Sequence, residues 1–507
     1  MVLLGGLVRV LPVTDHPYPL DDGGLFYQMA VDIVAAGFTL PIETTYNGGI
    51  PFAYPPLGLY VAAVAAQIPG VEMLDVIRWL PAVIAVLTIP AFYLLARELA
   101  PSGYHALAGT AAFALIPRAY QWLIIGGGLT RALGMLLALL AIQQSLRLYR
   151  KGRWRHVATV GMLGGLALLT HPQGAVFAGI SVGLVLLASM PRLQAIAQTA
   201  VAGVIALAVV APWLAVVIVR HGFSTVTSAG ATGTDLAAGA SALFSLFVTD
   251  IGTLDLFTAM GVIWAFVLLA RRQWLVPAWL GAVILIDPRA GHTYAAVPLA
   301  ILTIPVIAGI ISLLAPSSSS AELESVSVPR LVRRLPQAAL FVGLLLFAAL
   351  RTNSLATVDR VSPLQGVTEA QHSSMTWIAR NTPKDAEIAV VTGREWTYDY
   401  VSEWLPVFTG RLSAATVQGS EWTGRFIERL AAYRQLQACA SRTATCIESW
   451  MHGYDYADLY LYVPSGDMRG GEPEPDCCPA LRQTLSASSK FELVEDGPGG
   501  TVFRSVK

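Results

Sequence analysis

AQTAVAGVIALAVVAPWLAVVIV, residues 197–219, contains no charged side chain. A helix rises 1.5 Å per residue, so this run reaches about 34 Å, enough to cross the ~30 Å hydrocarbon core of a bilayer. Further apolar runs lie outward from it at 76–95, 105–120, 129–148, 157–170, 174–190, 254–270, 274–286, 294–314 and 338–350. The shorter ones are expected to gain a turn from their flanks. Residues 1–13 are apolar but too short to span, and neither a charged leader nor a small-residue cleavage site frames them. They are expected to be the outer remnant of a longer first helix. The pattern predicts a polytopic α-helical membrane bundle of about ten or eleven transmembrane helices over residues 1–350, followed by a soluble α/β domain over 351–507.

Composition agrees. The 507 residues are 55% hydrophobic and 13% charged, against about 25% charged in an ordinary soluble domain. With a net charge of zero there is no basic field to track a nucleic-acid backbone, so nucleic acid is not an expected partner.

Sidedness follows from the cations. Arg147, Arg150, Lys151, Arg153 and Arg155 form the densest basic loop, and Arg97, Arg192, Arg271 with Arg272, and Arg330 with Arg333 and Arg334 occupy every second loop around it. The positive-inside rule makes that set cytoplasmic. A plasma-membrane protein with its first loop (14–75) and its C-terminal domain outside is therefore expected. In that loop, LDDGGLFYQMAVDIVAAGF has the spacing of a short interfacial amphipathic helix and is followed by a Gly-rich turn at 46–49. The 222–240 loop is a gate or a linker, and serines 317–320 are a linker.

The tail alternates helix and strand: helices near 371–380 and 422–438, strands near 387–392, 413–418 and 457–463. It lacks GxGxxG, so no nucleotide site is indicated. It holds all four cysteines, Cys439, Cys446, Cys477 and Cys478. External placement favours two disulfides over free thiols. Adjacent Cys477 and Cys478 are expected to pair with Cys439 and Cys446 rather than with each other.

Ionisable side chains gather at one membrane face, where they are costly unless used or solvated. They are Asp15, His16, Asp21 and Asp22; Arg118 and Arg131 flanking IIGGGLTRALG; His171 in LLTHPQG; Asp250 and Asp255; and Asp287, Arg289 and His292 in LIDPRAGHTYA. A lipid phosphate needs cations at that depth, and an acceptor hydroxyl needs a carboxylate base. Each also has a plainer reading. One of Asp21 and Asp22 can cap the following helix, with Asp22 the nearer. Arg131 can snorkel to headgroups, His171 can bond a helix-end carbonyl, and Asp287 with Arg289 can form a local ion pair. No His or Cys pair has zinc-ligand spacing.

The early acidic pair, the structured external loop, the YPPLG segment at 54–58 leading into RWLPAVIAVLTIPAFYLLAREL, and a tail opening with WIARNTPKDA together resemble the GT-C superfamily of membrane glycosyltransferases. That group includes protein O-mannosyltransferases, the aminoarabinose transferase and oligosaccharyltransferase catalytic subunits. Here the motif reads AYPPLG, without the acidic or histidine residue many relatives carry before the prolines, and the pair is Asp-Asp rather than Asp-Glu. The resemblance implies an inverting hexosyl- or pentosyltransferase of the cell envelope that takes a sugar from a polyprenyl-phosphate donor. The acceptor would be a glycan, lipid or protein. Asp21 or Asp22 would be the base, with Asp21 the first choice because Asp22 is nearer the helix. Arg131, Arg289 and His171 would hold the donor phosphate, and Tyr54, His292 and Asp287 would line the pocket. Some relatives use a divalent metal, Mg or Mn, for which Asp250 would be a ligand. The rival classes are a transporter and a non-catalytic scaffold. Against a transporter stand the absence of an inverted repeat in the sequence and the placement of the charges at one face rather than at the midplane.

Overall fold

The computed structural model describes residues 1–189, 193–232, 242–243, 255–313, 364–454, 456, 459–465, 468–469, 472–473 and 477–506. Asp250, Arg192, the serine run, Arg330, Arg333, Arg334 and the expected span at 338–350 lie outside the described residues.

The chain is a helical membrane bundle followed by a region built on a small mixed sheet. The bundle comprises α1 (Val2–Thr14), α2 (Gly24–Ala35), α3 (Leu57–Ala65), α4 (Met73–Leu99), α5 (Gly103–Leu115), α6 (Gly128–Lys151), α7 (Trp154–Leu168), α8 (Pro172–Ala188), α9 (Leu193–His221), α10 (Phe223–Ala231), α11 (Leu256–Ala270), α12 (Leu275–Ile286) and α13 (Pro288–Leu313). Among the described residues α4, α6, α9 and α13 are long and apolar enough to cross a membrane by themselves. The run that opened the sequence is α9; it is apolar on all sides and little of it is covered by protein, which leaves it facing lipid. It packs on α7, where a Cβ at Gly161 or Gly165 would stand 2.6–2.8 Å from backbone and side-chain atoms of residues 202–209. This is the small-residue contact by which helices approach closely where no hydrophobic drive exists between them.

One expected span is shorter than its apolar run. The 105–120 stretch is helical only to Leu115, because Ile116 precedes Pro117 and takes an extended conformation, and residues 117–123 continue as two 3-10 turns. That break turns the chain under the first loop. The loop itself holds α2 and a two-residue hairpin, β1 (Glu43–Thr44) and β2 (Ile50–Pro51), closed by the Gly-rich turn.

In the C-terminal region, helices α14 (Glu369–Asn381), α15 (Tyr400–Thr409), α16 (Phe426–Gln437), α17 (Ala444–Gly453) and α18 (Pro479–Ala487) surround strands β3 (Glu387–Val390), β4 (Leu412–Ser413), β5 (Tyr460–Pro464), β8 (Phe491–Gly497) and β9 (Gly500–Ser505), in the order β4-β3-β5-β9-β8. β3 runs parallel to β4 and β5, and the β8–β9 hairpin closes the sheet antiparallel. A further small hairpin joins β6 (Met468–Arg469) and β7 (Glu472–Pro473). The disulfides are Cys439–Cys446 and Cys477–Cys478, which corrects the expected cross-pairing. The chain folds back between α16 and α17, bringing Cys439 and Cys446 to a Cα separation of 5.6 Å, inside the range a bridge needs. The two adjacent cysteines are thereby left to each other.

Candidate functional site

Two glycines after α5 make room for the acidic pair. A Cβ on Gly127 would stand 2.6 Å from the Asp22 carboxylate, and one on Gly126 would overlap the Asp22 carbonyl. With only hydrogens there, Gly127 N donates to Asp22 Oδ1 at 2.8 Å and Gly126 N to the Leu20 carbonyl at 2.8 Å. Arg131, in the first turn of α6, donates from Nη2 to Asp22 Oδ2 at 2.7 Å and stacks 5.4 Å from the Trp122 ring centre. Its Nη1 is buried and has no hydrogen-bond partner. Asp22 and Arg131 remain 18% and 25% exposed at their side chains, so the pair opens to a space that a ligand can reach.

Asp21 points the other way. Its φ of +47° turns the side chain inward to 1% exposure, and its Oδ2 is buried without a partner. Burial first, then the nearby charges of Asp22 and Glu403, raise its carboxyl well above the usual range. The backbone of this turn is held by the C-terminal region. Leu20 bridges Gly366 antiparallel, Asp21 N donates to the Gln365 carbonyl, and Trp404 Nε1 donates to the Asp21 carbonyl at 2.9 Å.

The expectation that Asp22 caps α2 is corrected. Gly23 occupies the N-cap with φ +125° and no local side chain caps the helix. Glu403 does so instead: its Oε1 accepts from Gly23 N at 2.9 Å, and its carboxylate also accepts from Leu25 N. A lone charged side chain within YVSEWLPVF of α15 was the signal available in the sequence, and its partner lies 380 residues away.

A second cluster connects the YPPLG segment to α8 and α13. Tyr54 Oη lies 3.0 Å from Thr130 Oγ1 and 2.8 Å from His171 Nδ1. His171 Nε2 lies 3.1 Å from Gln173 Oε1, and Gln173 Nε2 donates to Asp287 Oδ1 at 3.2 Å. Burial and the Arg131 and Arg289 charges push the His171 imidazole down to about 3, so the ring is neutral. It is therefore not the cation the sequence suggested, and it acts as a hydrogen-bonding link. Arg289 turns toward the C-terminal region: it donates to Glu421 Oε1 and Thr232 Oγ1, each at 3.3 Å, and lies 5.2 Å from the Trp396 ring centre. His292 Nδ1 sits 2.6 Å from Arg118 Nη1. Asp255 caps α11 through Phe257 N and Thr258 N. The structure thus brings Asp22 and Arg131 into direct contact, joins Tyr54, His171 and Asp287 through Gln173, and gives Arg289 and His292 partners of their own. No group of three His, Cys, Asp or Glu side chains placed to hold a metal ion occurs among the described residues. Asp250, the residue expected to bind a metal, lies outside the described residues.

Comparison with known proteins bears on this geometry. The family described as dolichyl-phosphate-mannose-protein mannosyltransferase matches residues 53–216. Over 100% of this chain and 97% of its own, ArnT from Cupriavidus metallidurans bound to undecaprenyl phosphate aligns with a TM-score of 0.55 and 14% identity. The chain has the GT-C fold. Two other proteins with that fold match it. The archaeal oligosaccharyltransferase AglB from Archaeoglobus fulgidus, in complex with an inhibitory peptide and a dolichol-phosphate, matches 91% of this chain over 69% of its own at a TM-score of 0.54 and 13% identity. The arabinofuranosyltransferase AftD from Mycobacteria matches 100% over 40% at a TM-score of 0.53 and 15% identity. No curated protein sequence matches. Within the GT-C fold, the Asp22–Arg131 pair lies between the first loop and the helix that follows the Gly126–Gly128 run.

Proposed function

We propose that this chain is an inverting glycosyltransferase that moves a sugar from a polyprenyl-phosphate donor to an acceptor hydroxyl or amide at the outer membrane face, with Asp22 as general base and Arg131 as the principal phosphate ligand. The observation that carries this reading is the Asp22–Arg131 pair, in which the carboxylate is partly exposed and one buried guanidinium nitrogen has no partner. The guanidinium as a whole is a quarter exposed, and as a charged donor set it suits a phosphate oxygen.

An arriving phosphate competes with Asp22 for Arg131 and frees Oδ2 at the moment the base is needed. The acceptor oxygen or nitrogen attacks the anomeric carbon from the side opposite the phosphate, and its proton passes to Asp22. The bond between that carbon and the phosphate oxygen breaks, and the electron pair leaves on polyprenyl phosphate. Arg131 stabilises the charge as it grows there. The hydrogen-bonded Tyr54–His171–Gln173–Asp287 network holds the pocket wall. Sidedness is part of the proposal: residues 351–507 lie outside with the first loop, and the protein resides in the plasma membrane. Purified protein supplied with polyprenyl-phosphate sugars and a membrane extract as acceptor source should release polyprenyl phosphate. If none of a panel of such donors binds or turns over, the reading fails.

A further inference from the structure

The acidic turn is not self-supporting. Asp21 sits at φ +47° and Gly23 at φ +125°, and α2 begins with no cap from its own loop. Every hydrogen bond described above that fixes the backbone of residues 21–25 from outside the loop comes from residues 365–404. Glu403 contributes most directly, because its carboxyl takes the N–H groups of Gly23 and Leu25, immediately after Asp22 in the chain. Its own backbone is fixed in turn, since Tyr46 Oη donates to the Glu403 carbonyl at 2.8 Å. A Cβ on Gly24 would stand 2.7 Å from that carbonyl oxygen, so loop and α15 meet without slack.

We infer that Glu403 is a positioning residue for the reaction: by capping α2 from the C-terminal region, it sets the direction from which Asp22 meets Gly127, Arg131 and the acceptor. The inference rests on the reading of Asp22 as the base. Glu403 itself is buried behind the turn and touches no reacting atom, so its effect passes through Gly23 and Leu25. Burial, with the charge of Asp22 close by, raises its carboxyl to about 8. A glutamine amide, still offering an oxygen to the N–H groups, is its near equivalent.

The test uses the full-length protein in lipid and compares Glu403→Ala, Glu403→Gln and wild type. Two readouts are needed: donor KM with kcat, and amide hydrogen exchange of the peptide covering residues 20–27. Glu403→Ala should speed exchange of the Gly23 and Leu25 amides and lower kcat by about 10²-fold, as small misplacements of reacting groups do, with donor KM little changed. Glu403→Gln should restore both. Unchanged exchange in the alanine variant would overturn the inference whatever the activity, since the cap would then not hold the turn. Faster exchange with unchanged kcat would overturn it too, because the turn would be held without consequence for the reaction. A glutamine variant as slow as alanine would show that the acid itself is required, which is also incompatible with a positioning role. Failure of the Asp22 reading is visible separately, as transfer that survives Asp22→Asn while the exchange result stands.

Discussion

Asp22→Asn is the substitution on which the proposed mechanism turns. Asparagine keeps an oxygen for Gly127 N at 2.8 Å but removes the charge opposite Arg131 Nη2 at 2.7 Å. The pair is 18% and 25% exposed at its side chains, so losing it should cost about 1–2 kcal/mol of stability, below the roughly 3–5 kcal/mol of a fully buried pair. Removing a positioned base slows turnover by about 10²-fold or more, equivalent to about 2.7 kcal/mol of barrier. Donor binding should move the other way: Arg131 loses its internal competitor, so the variant should hold polyprenyl phosphate at least as tightly as wild type. Native mass spectrometry of bound lipid reads the binding, and release of polyprenyl phosphate reads the turnover. Transfer that persists in both Asp22→Asn and Asp21→Asn would refute the base. Parallel loss of donor binding and turnover would reduce Asp22 to a support for Arg131.

Stability should fall as pH rises from about 5 to 8. The Glu403 carboxyl is raised from 4.5 to about 8 on folding, so between those values the native state holds a proton the unfolded chain has lost, and each pH step favours unfolding. Asp21, raised in the same direction, adds to the slope. Melting curves should show a shallower dependence in Glu403→Gln, and an unchanged slope would contradict the assignment. Single-cysteine labelling from outside the cell should reach residues 364–506 and miss residues 149–156; the opposite pattern would invert the proposed topology. Non-reducing peptide mapping should recover Cys439 linked to Cys446 and Cys477 linked to Cys478, and mixed pairs would exclude the structure's connectivity.

The bundle was legible because its signal is local: predominantly apolar runs long enough to cross a bilayer mark α4, α6, α9 and α13 whatever they pack against. The turn at Pro117 was legible in principle, since proline constrains the residue before it, but the apolar flanks of that segment masked it. The tail strands near 387 and 457 emerged from their β-branched and aromatic runs. The β8–β9 hairpin did not, because FELVEDG carries Glu492, Glu495 and Asp496, which break the alternation of a half-buried strand and read as loop. At the site, residue types were recoverable and pairings were not. Asp22 and Arg131 stood out one by one as costly charges, yet nothing in the sequence spacing chose Arg131 over Arg289 as the partner. That choice is made by Gly126 and Gly127, whose missing side chains admit the acidic turn to one helix end. Asp22 resembled a cap because helices usually find theirs nearby; here the cap comes from α15.

Glu403 trails Gly23 by 380 residues, and at about 5–20 residues per second a ribosome needs about 20–80 s to make the one after the other. Throughout that interval the nascent chain has its first loop and its membrane helices but not the side chain that closes α2. The carboxylates therefore acquire their final geometry only as synthesis nears completion. On the proposed mechanism, a stalled chain, or one cut short before α15, would keep Arg131 without the cap that orders Asp22, and so would hold lipid-linked sugar rather than consume it.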